Sequence, residues 1–298
     1  MKETAVPAAE PQPSWFSDVM ELAKARLTFM VLVTTLAGFY LAAPGAVDGR
    51  LLFHTLLGTA LVAASASALN QLVEREHDSR MPRTADRPLA ARRRRADTVL
   101  FGALVVGVLG LVELAVAVNL LSCLLAAVTL ASYVLVYTPM KRTTTLNTFV
   151  GAIPGAIPPV IGYTAVENKL GLEAALLFAI LFFWQLPHFL AIAWMYRAQY
   201  RDAGFKMLTA DDPHGAQTGR QSFLTATALL PVALLPSLVR LAGPVYFWGA
   251  LILGLFFCFK AWQFSRQPGD GRARQLFFTS IIYLPLLLGL MAYDAARG

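Results

Sequence analysis

Residues Asn70–Pro88 read NQLVEREHDSRMPRTADRP, directly after the mostly apolar run LLFHTLLGTALVAASASAL, Leu51–Leu69. About 20 apolar residues in a helix cross the hydrocarbon of a bilayer. The acids and arginines of Asn70–Pro88 then fall where such a helix reaches the membrane surface. The rest of the chain supports this reading. Of its 298 residues 57% are hydrophobic and 14% charged, and its mean hydropathy is +0.57. A soluble domain carries roughly 25% charged residues, so lipid must face much of this protein. The fold class is all-α: a polytopic membrane bundle of about nine transmembrane helices around a central cavity. Spans are expected at 27–44, 51–76, 98–118, 120–139, 146–165, 172–196, 222–241, 245–264 and 276–293. Residues 1–20 are polar and Pro-rich, lack a signal-peptide core, and read as a disordered cytoplasmic tail. Residues 21–298 form one membrane domain.

The formal charge of +7 does not point to nucleic acid, because the basic residues lie between apolar runs. With nine spans, 21 of the 25 lysines and arginines fall on one side, with the N-terminus. The positive-inside rule makes that side cytoplasmic, in the cell (inner) membrane. Cys123 and Cys258 lie in apolar runs and read as small buried side chains. His54 and Glu113 read as interfacial groups far from the basic side. Arg92–Arg95 reads as a solvated helix end.

If the second span continues through its charged end, Asn70, Glu74 and Asp78 recur at i, i+4 and i+8. They drift by about 40° per step and share one helix face. Acids at a membrane boundary are costly unless paired or wetted. Oxygen donors without Cys or His suit Mg²⁺, which is held by one or two carboxylates plus substrate phosphates. Arg83 and Arg87 follow, and a guanidinium fork matches phosphate oxygens. Together these residues describe a diphosphate site.

A second cluster runs from Tyr137 to Tyr163, YTPMKRTTTLNTFVGAIPGAIPPVIGY. Lys141 and Arg142 stand at the basic mouth, where either can meet phosphate. Gly151 and Gly155 form a small-xxx-small pair for close helix approach, and Pro154, Pro158 and Pro159 kink the fifth span. A third cluster, Phe182–Gly215, sets Gln185 and His188 around Pro187 inside the sixth span. Its acids Asp202, Asp211 and Asp212 are candidates for a second metal station facing the first.

In order and spacing, the three clusters resemble the intramembrane prenyltransferases, and within them the heme-farnesylating branch. The first signature matches at Asn70, Glu74, Asp78, Met81, Arg83, Thr84, Arg87 and Pro88. The second matches at Tyr137, Lys141, Arg142, Asn147, Gly151 and Gly155, and the WQxPHF signature at Trp184, Gln185, Pro187 and His188. His77 departs from an apolar or aromatic position, Gln199 from an acid and Lys206 from a proline, so the second station passes to Asp202, Asp211 or Asp212.

The resemblance implies farnesyl diphosphate and heme b as substrates and Mg²⁺ as cofactor. Asn70, Glu74 and Asp78 then hold the metal, while Arg83, Arg87 and Lys141 neutralise the leaving diphosphate. Tyr137, Arg142, Asn147, Trp184, Gln185, His188, Tyr200 and Asp202 are implied substrate contacts. A downstream heme-modifying or oxidase-assembly protein would receive the product. Two rival functions are an aromatic acceptor such as a quinone precursor and, from another class, an ion-coupled transporter. The transporter fits less well, because the acids gather at one face rather than the midplane.

Overall fold

The computed structural model describes residues 13–43 and 45–295. Among the described residues, nine helices are long and apolar enough to cross a membrane, one for each expected span. They follow a short helix α1, Trp15–Leu22, and are α2 (Ala25–Ala42), α3 (Gly49–Asp78), α4 (Ala96–Ala117), α5 (Leu120–Met140), α6 (Asn147–Glu167) and α7 (Leu172–Met195). A surface helix α8, Arg197–Asp202, precedes α9 (Ala216–Leu238), α10 (Pro244–Arg266) and α11 (Asp270–Ala295). No strand occurs among the described residues.

The sequence misjudged helix starts more than helix positions. Helix α9 begins at Ala216 and α11 at Asp270, each six residues before its expected span. Hydropathy follows the lipid-immersed length, whereas these helices run on through a polar first turn. Asp212 caps that turn of α9, accepting hydrogen bonds from the Thr218 amide (2.7 Å) and hydroxyl (2.9 Å). Asp270 sits at the N-terminus of α11, where the helix dipole favours an acid.

Helix α6 is the inner post of the bundle. Within its 18-residue apolar window 72% is buried, against 11% for α5. It divides at Ile157 into Asn147–Ala156 and Pro158–Glu167. Pro158 and Pro159 bring no N–H to the ladder there, which frees carbonyls of the preceding turn. Helix α2 lies against the second half, backbone on backbone. A Cβ on Gly38 would strike the Pro159 carbonyl, and one on Gly162 the Thr35 carbonyl. This is the small-residue contact that apolar surroundings demand, since packing rather than the hydrophobic effect joins helices in lipid. Gly151 and Gly155, expected to play that part, instead make room for side chains: the Tyr137 ring and the Gln185 amide.

Helices α3 and α4 pack through Gly58 and Gly110, with Ser65 donating to the Ala103 carbonyl at 2.7 Å. His54 and Glu113, read as separate interfacial groups, are 2.6 Å apart and join the same two helices. In the other half, α7, α9, α10 and α11 enclose Leu177, Tyr246, Phe257, Phe264 and Tyr283. Both cysteines are free and half-buried rather than fully buried.

Residues 1–12 of the expected tail lie outside the described residues. Residues 15–20, assigned to the same tail, instead belong to α1. Their order has a specific cause. Asp18 is 1% exposed and accepts from Arg94 Nε at 2.7 Å and Arg93 Nη2 at 3.0 Å. Gln71 of α3 also donates to the Glu21 and Leu22 carbonyls. Two of the four arginines read as solvated are therefore a clamp. Burial opposes the charge on Asp18, but hydrogen bonds from Arg94 and Arg93 outweigh it and hold the carboxyl below its ordinary value.

Candidate active site

Helix α3 continues unbroken to Asp78, far enough to carry three polar residues past the apolar run. Asn70, Glu74 and Asp78 are 0%, 3% and 3% exposed, and all three line one pocket of about 180 Å³. Its size suits a polar head group rather than a whole isoprenoid. The chain after Asp78 turns back at once: Thr84 donates to the Asp78 carbonyl at 2.9 Å, and the turn returns Arg87 to the helix end. Arg87 Nη1 then donates to Asp78 Oδ2 at 2.8 Å.

Helix α5 supplies the opposite wall. Its turn Ser132–Tyr137 is π-helical, a local widening often found at functional sites. Thr138 reaches back to the Tyr133 carbonyl at 2.8 Å and accepts from Asn70 Nδ2 at 3.1 Å. The helix end therefore faces α3, and Lys141 Nζ lies 2.8 Å from Glu74 Oε1 and 4.5 Å from the Tyr137 ring centroid. Burial opposes the charge on Lys141. Glu74 and the neighbouring tyrosines outweigh it and raise the ammonium well above its ordinary value, so it stays charged at neutral pH.

The site also holds a residue that the motifs do not contain. Lys24 joins α1 to α2 in a left-handed conformation (φ 45°). Its Nζ donates to Asn70 Oδ1 at 2.8 Å and it lines the same pocket. In the sequence it counts only toward the positive-inside bias, because a lone lysine before a span has no spacing to mark it. Phe205 and Met207, from the loop after α8, also line the pocket and were missed.

Each of the three α3 oxygen donors thus has its own cation: Lys24 on Asn70, Lys141 on Glu74, Arg87 on Asp78. Arg83 adds a fourth, lying 4.5 Å over the Tyr196 ring and donating to Tyr200 Oη at 2.9 Å. Four cations against two carboxylates leave the pocket with a formal surplus of two positive charges. Such a pocket takes an anion, and a divalent metal fits it in the company of that anion. Among the described residues no group of three or more His, Cys, Asp or Glu gathers as a metal cage. The donor set accordingly fits Mg²⁺ carried with phosphate oxygens, the usual manner of holding that ion.

The other expected site residues lie elsewhere. Asp202 is 70% exposed on its side chain, with Arg201 3.7 Å away. Asp211 is exposed, and Asp212 is the α9 cap described above. None of the three lines the pocket, so the expected second acidic station does not face the first. Asn147 ties the loops over the mouth together, donating to the Thr144 (2.6 Å) and Lys206 (2.7 Å) carbonyls. Arg142 donates to the Val73 carbonyl. Deeper in the bundle Gln185 donates to the Ala152 carbonyl at 2.8 Å. The His188 ring stacks between Trp184 and Phe277, with centroids 5.1 and 5.0 Å away, and its Nδ1 is 2.7 Å from Ser280 Oγ. These residues form a second polar layer apart from the pocket.

A nine-span bundle with such a pocket at one end is the architecture of an intramembrane prenyltransferase. Residues 31–282 match the model of the UbiA prenyltransferase family, and the chain belongs to that family. It is 46% identical to a protoheme IX farnesyltransferase of Solibacter usitatus, over 93% of this chain and 98% of that one. In structure it is similar to a digeranylgeranylglyceryl phosphate synthase, with a TM-score of 0.81 at 14% identity, covering 95% of this chain and 99% of the other. It also resembles a UbiA homolog from Archaeoglobus fulgidus bound to GPP and Mg²⁺, with a TM-score of 0.67 at 15% identity, covering 93% and 100%. The protein is thus a multi-pass membrane prenyltransferase.

Proposed function

We infer that the chain transfers the farnesyl group of farnesyl diphosphate to a vinyl group of heme b, with addition of water, to give heme O and diphosphate. One observation carries the site assignment: Asn70, Glu74 and Asp78 converge with Lys24, Arg83, Arg87 and Lys141 in one pocket of net positive charge. The name and near-full coverage of the Solibacter usitatus relative support heme as acceptor.

Glu74 and Asp78, with Asn70, would hold Mg²⁺ together with the diphosphate. Bound there, the metal supplies Lewis-acid stabilisation of the leaving oxygen. The residues of the chain do the rest. Lys24, Lys141, Arg83 and Arg87 meet the remaining phosphate charge, which lowers the cost of breaking the C1–O bond. The bonding pair leaves with the diphosphate. The vinyl π pair closes on farnesyl C1, and water captures the cation left beside the porphyrin, losing a proton to give a hydroxyethylfarnesyl group. Until capture, apolar walls must keep water from the farnesyl cation.

Trp184, Gln185 and His188 are the proposed tetrapyrrole contacts. Ser280 holds the imidazole at Nδ1, so Nε2 is the nitrogen offered to a ligand. The basic bias of the loops supports a pocket opening to the cytoplasm, with the N-terminus on that side.

Purified protein given heme b, farnesyl diphosphate and Mg²⁺ should release diphosphate and yield a heme heavier by farnesyl plus water. Chelation of the metal should stop both. Diphosphate release that ignores heme but requires a phenolic acceptor would overturn the heme assignment and leave the pocket assignment standing.

A further inference from the structure

Helix α1 is amphipathic in a way that the pocket does not use up. At about 100° per residue, Trp15, Phe16, Val19 and Met20 fall within one arc of about 140°, and Ser17, Asp18, Glu21 and Leu22 occupy the other. The first arc is bare: Trp15 and Phe16 are each 66% exposed, and Met20 43%. The second arc is held to the protein through the buried Asp18, with Ser17 and Glu21 exposed beside it. Ser17, Asp18 and Glu21 line a cavity of about 290 Å³ whose far side includes Arg83, Arg87 and Arg93. Arg83 and Arg87 also line the diphosphate pocket, so the two cavities are neighbours that share these arginines.

We propose that α1 lies in the membrane surface on the pocket side, with Trp15, Phe16, Val19 and Met20 sunk into the boundary between headgroups and acyl chains. Its polar arc thereby forms a fixed wall of the cavity beside the diphosphate pocket. Three features select lipid as the occupant. The bare arc leads into Leu27, Phe29 and Met30 of α2, themselves 51–60% exposed at the start of a membrane span. Only Ala23 and Lys24 separate the helices, and at roughly 3.5 Å per residue so short a link keeps α1 at the level where α2 meets the membrane. Trp and Phe on the apolar face of a short amphipathic helix settle at this depth, and Lys24 and Arg26 follow α1 directly. The Asp18 clamp on Arg93 and Arg94 turns the polar arc inward and leaves the aromatic arc no other direction.

Site-directed spin labelling in lipid nanodiscs tests this, in full-length protein with Cys123→Ser and Cys258→Ser. A nitroxide at Phe16→Cys should collide more with dissolved oxygen than with a water-soluble nickel chelate, as should a reference label at Leu27→Cys in the α2 span. A label at Ser17→Cys, on the opposite arc, should show the reverse preference. Nickel-dominated collisions at position 16 would mean that α1 stands in water and would overturn the proposal. So would protection from both reagents, which would mean that protein covers the face. The readout needs no substrate, so its failure leaves the enzymatic assignment untouched.

Discussion

Two acidic segments of similar composition meet different fates. Asn70–Asp78 ends α3 and Asp202–Asp212 follows α7, each acid-bearing and near the basic side. The first delivers Asn70, Glu74 and Asp78 to one pocket, because an unbroken helix fixes their spacing and direction, and leaves only the off-stripe Glu76 to solvent. The second spends its acids locally: Asp202 and Asp211 on solvent, Asp212 on capping α9. A carboxylate on a continuing helix inherits the geometry of the span, whereas acids on the short surface helix and loop beyond it meet solvent or the nearest amide.

Substitutions test this contrast. Glu74→Gln or Asp78→Asn should lower farnesyl transfer by about a thousandfold or more, since a carboxylate that holds both metal and neighbouring cation is removed. Product formation in nanodiscs measures it, and near-normal rates in either variant would break the contrast from the first side. Arg87→Lys should cost about tenfold to a hundredfold in kcat/KM for the diphosphate, because an ammonium lacks the two-pronged geometry. In the second segment, Asp212→Ala should leave the specific activity of folded enzyme unchanged while destabilising it by about 1 kcal/mol through loss of a helix cap. A thermal-unfolding assay read beside turnover separates the two effects. Asp202→Asn or Asp211→Asn should change turnover by less than about twofold, the ordinary range for exposed sites; a large loss in either would restore a second station.

Much of the first segment was legible in advance, because a 3.6-residue period converts sequence spacing into a shared face. The nine spans were legible for the same reason: length and apolarity follow from bilayer thickness. What escaped depends on contacts distant in the chain. Lys24 reaches Asn70 across 46 residues through a left-handed turn that leaves no mark in composition. The partnership of Asp18 with Arg93 and Arg94 spans some 75 residues, so its arginines looked like ordinary topology markers. Gly151 and Gly155 have the spacing of a helix-contact motif, but what faces them is side chain, and a motif does not say which neighbour arrives.

The Asp18 clamp also supplies the mildest test. Its carboxyl is held below its ordinary value, so its contribution is complete above the unfolded carboxyl pKa of about 4 and is lost as pH falls through the lower folded value. A label at position 16 should therefore loosen on acidification below about pH 4, and Asp18→Asn should remove that dependence.

The widened turn of α5 has a consequence for how the chain tolerates insertions and deletions. A π turn accommodates one more residue than an α turn, so Ser132–Tyr137 works as a built-in spacer of single-residue length. Deleting one residue there would let the turn close to an ordinary α turn, so the helix would still cross the bilayer with everything beyond it close to its present register. Lys141 would keep its place beside Glu74, whereas the same deletion in the regular turns of Leu120–Ala131 would swing the helix end by about 100° and carry Lys141 away from its partner.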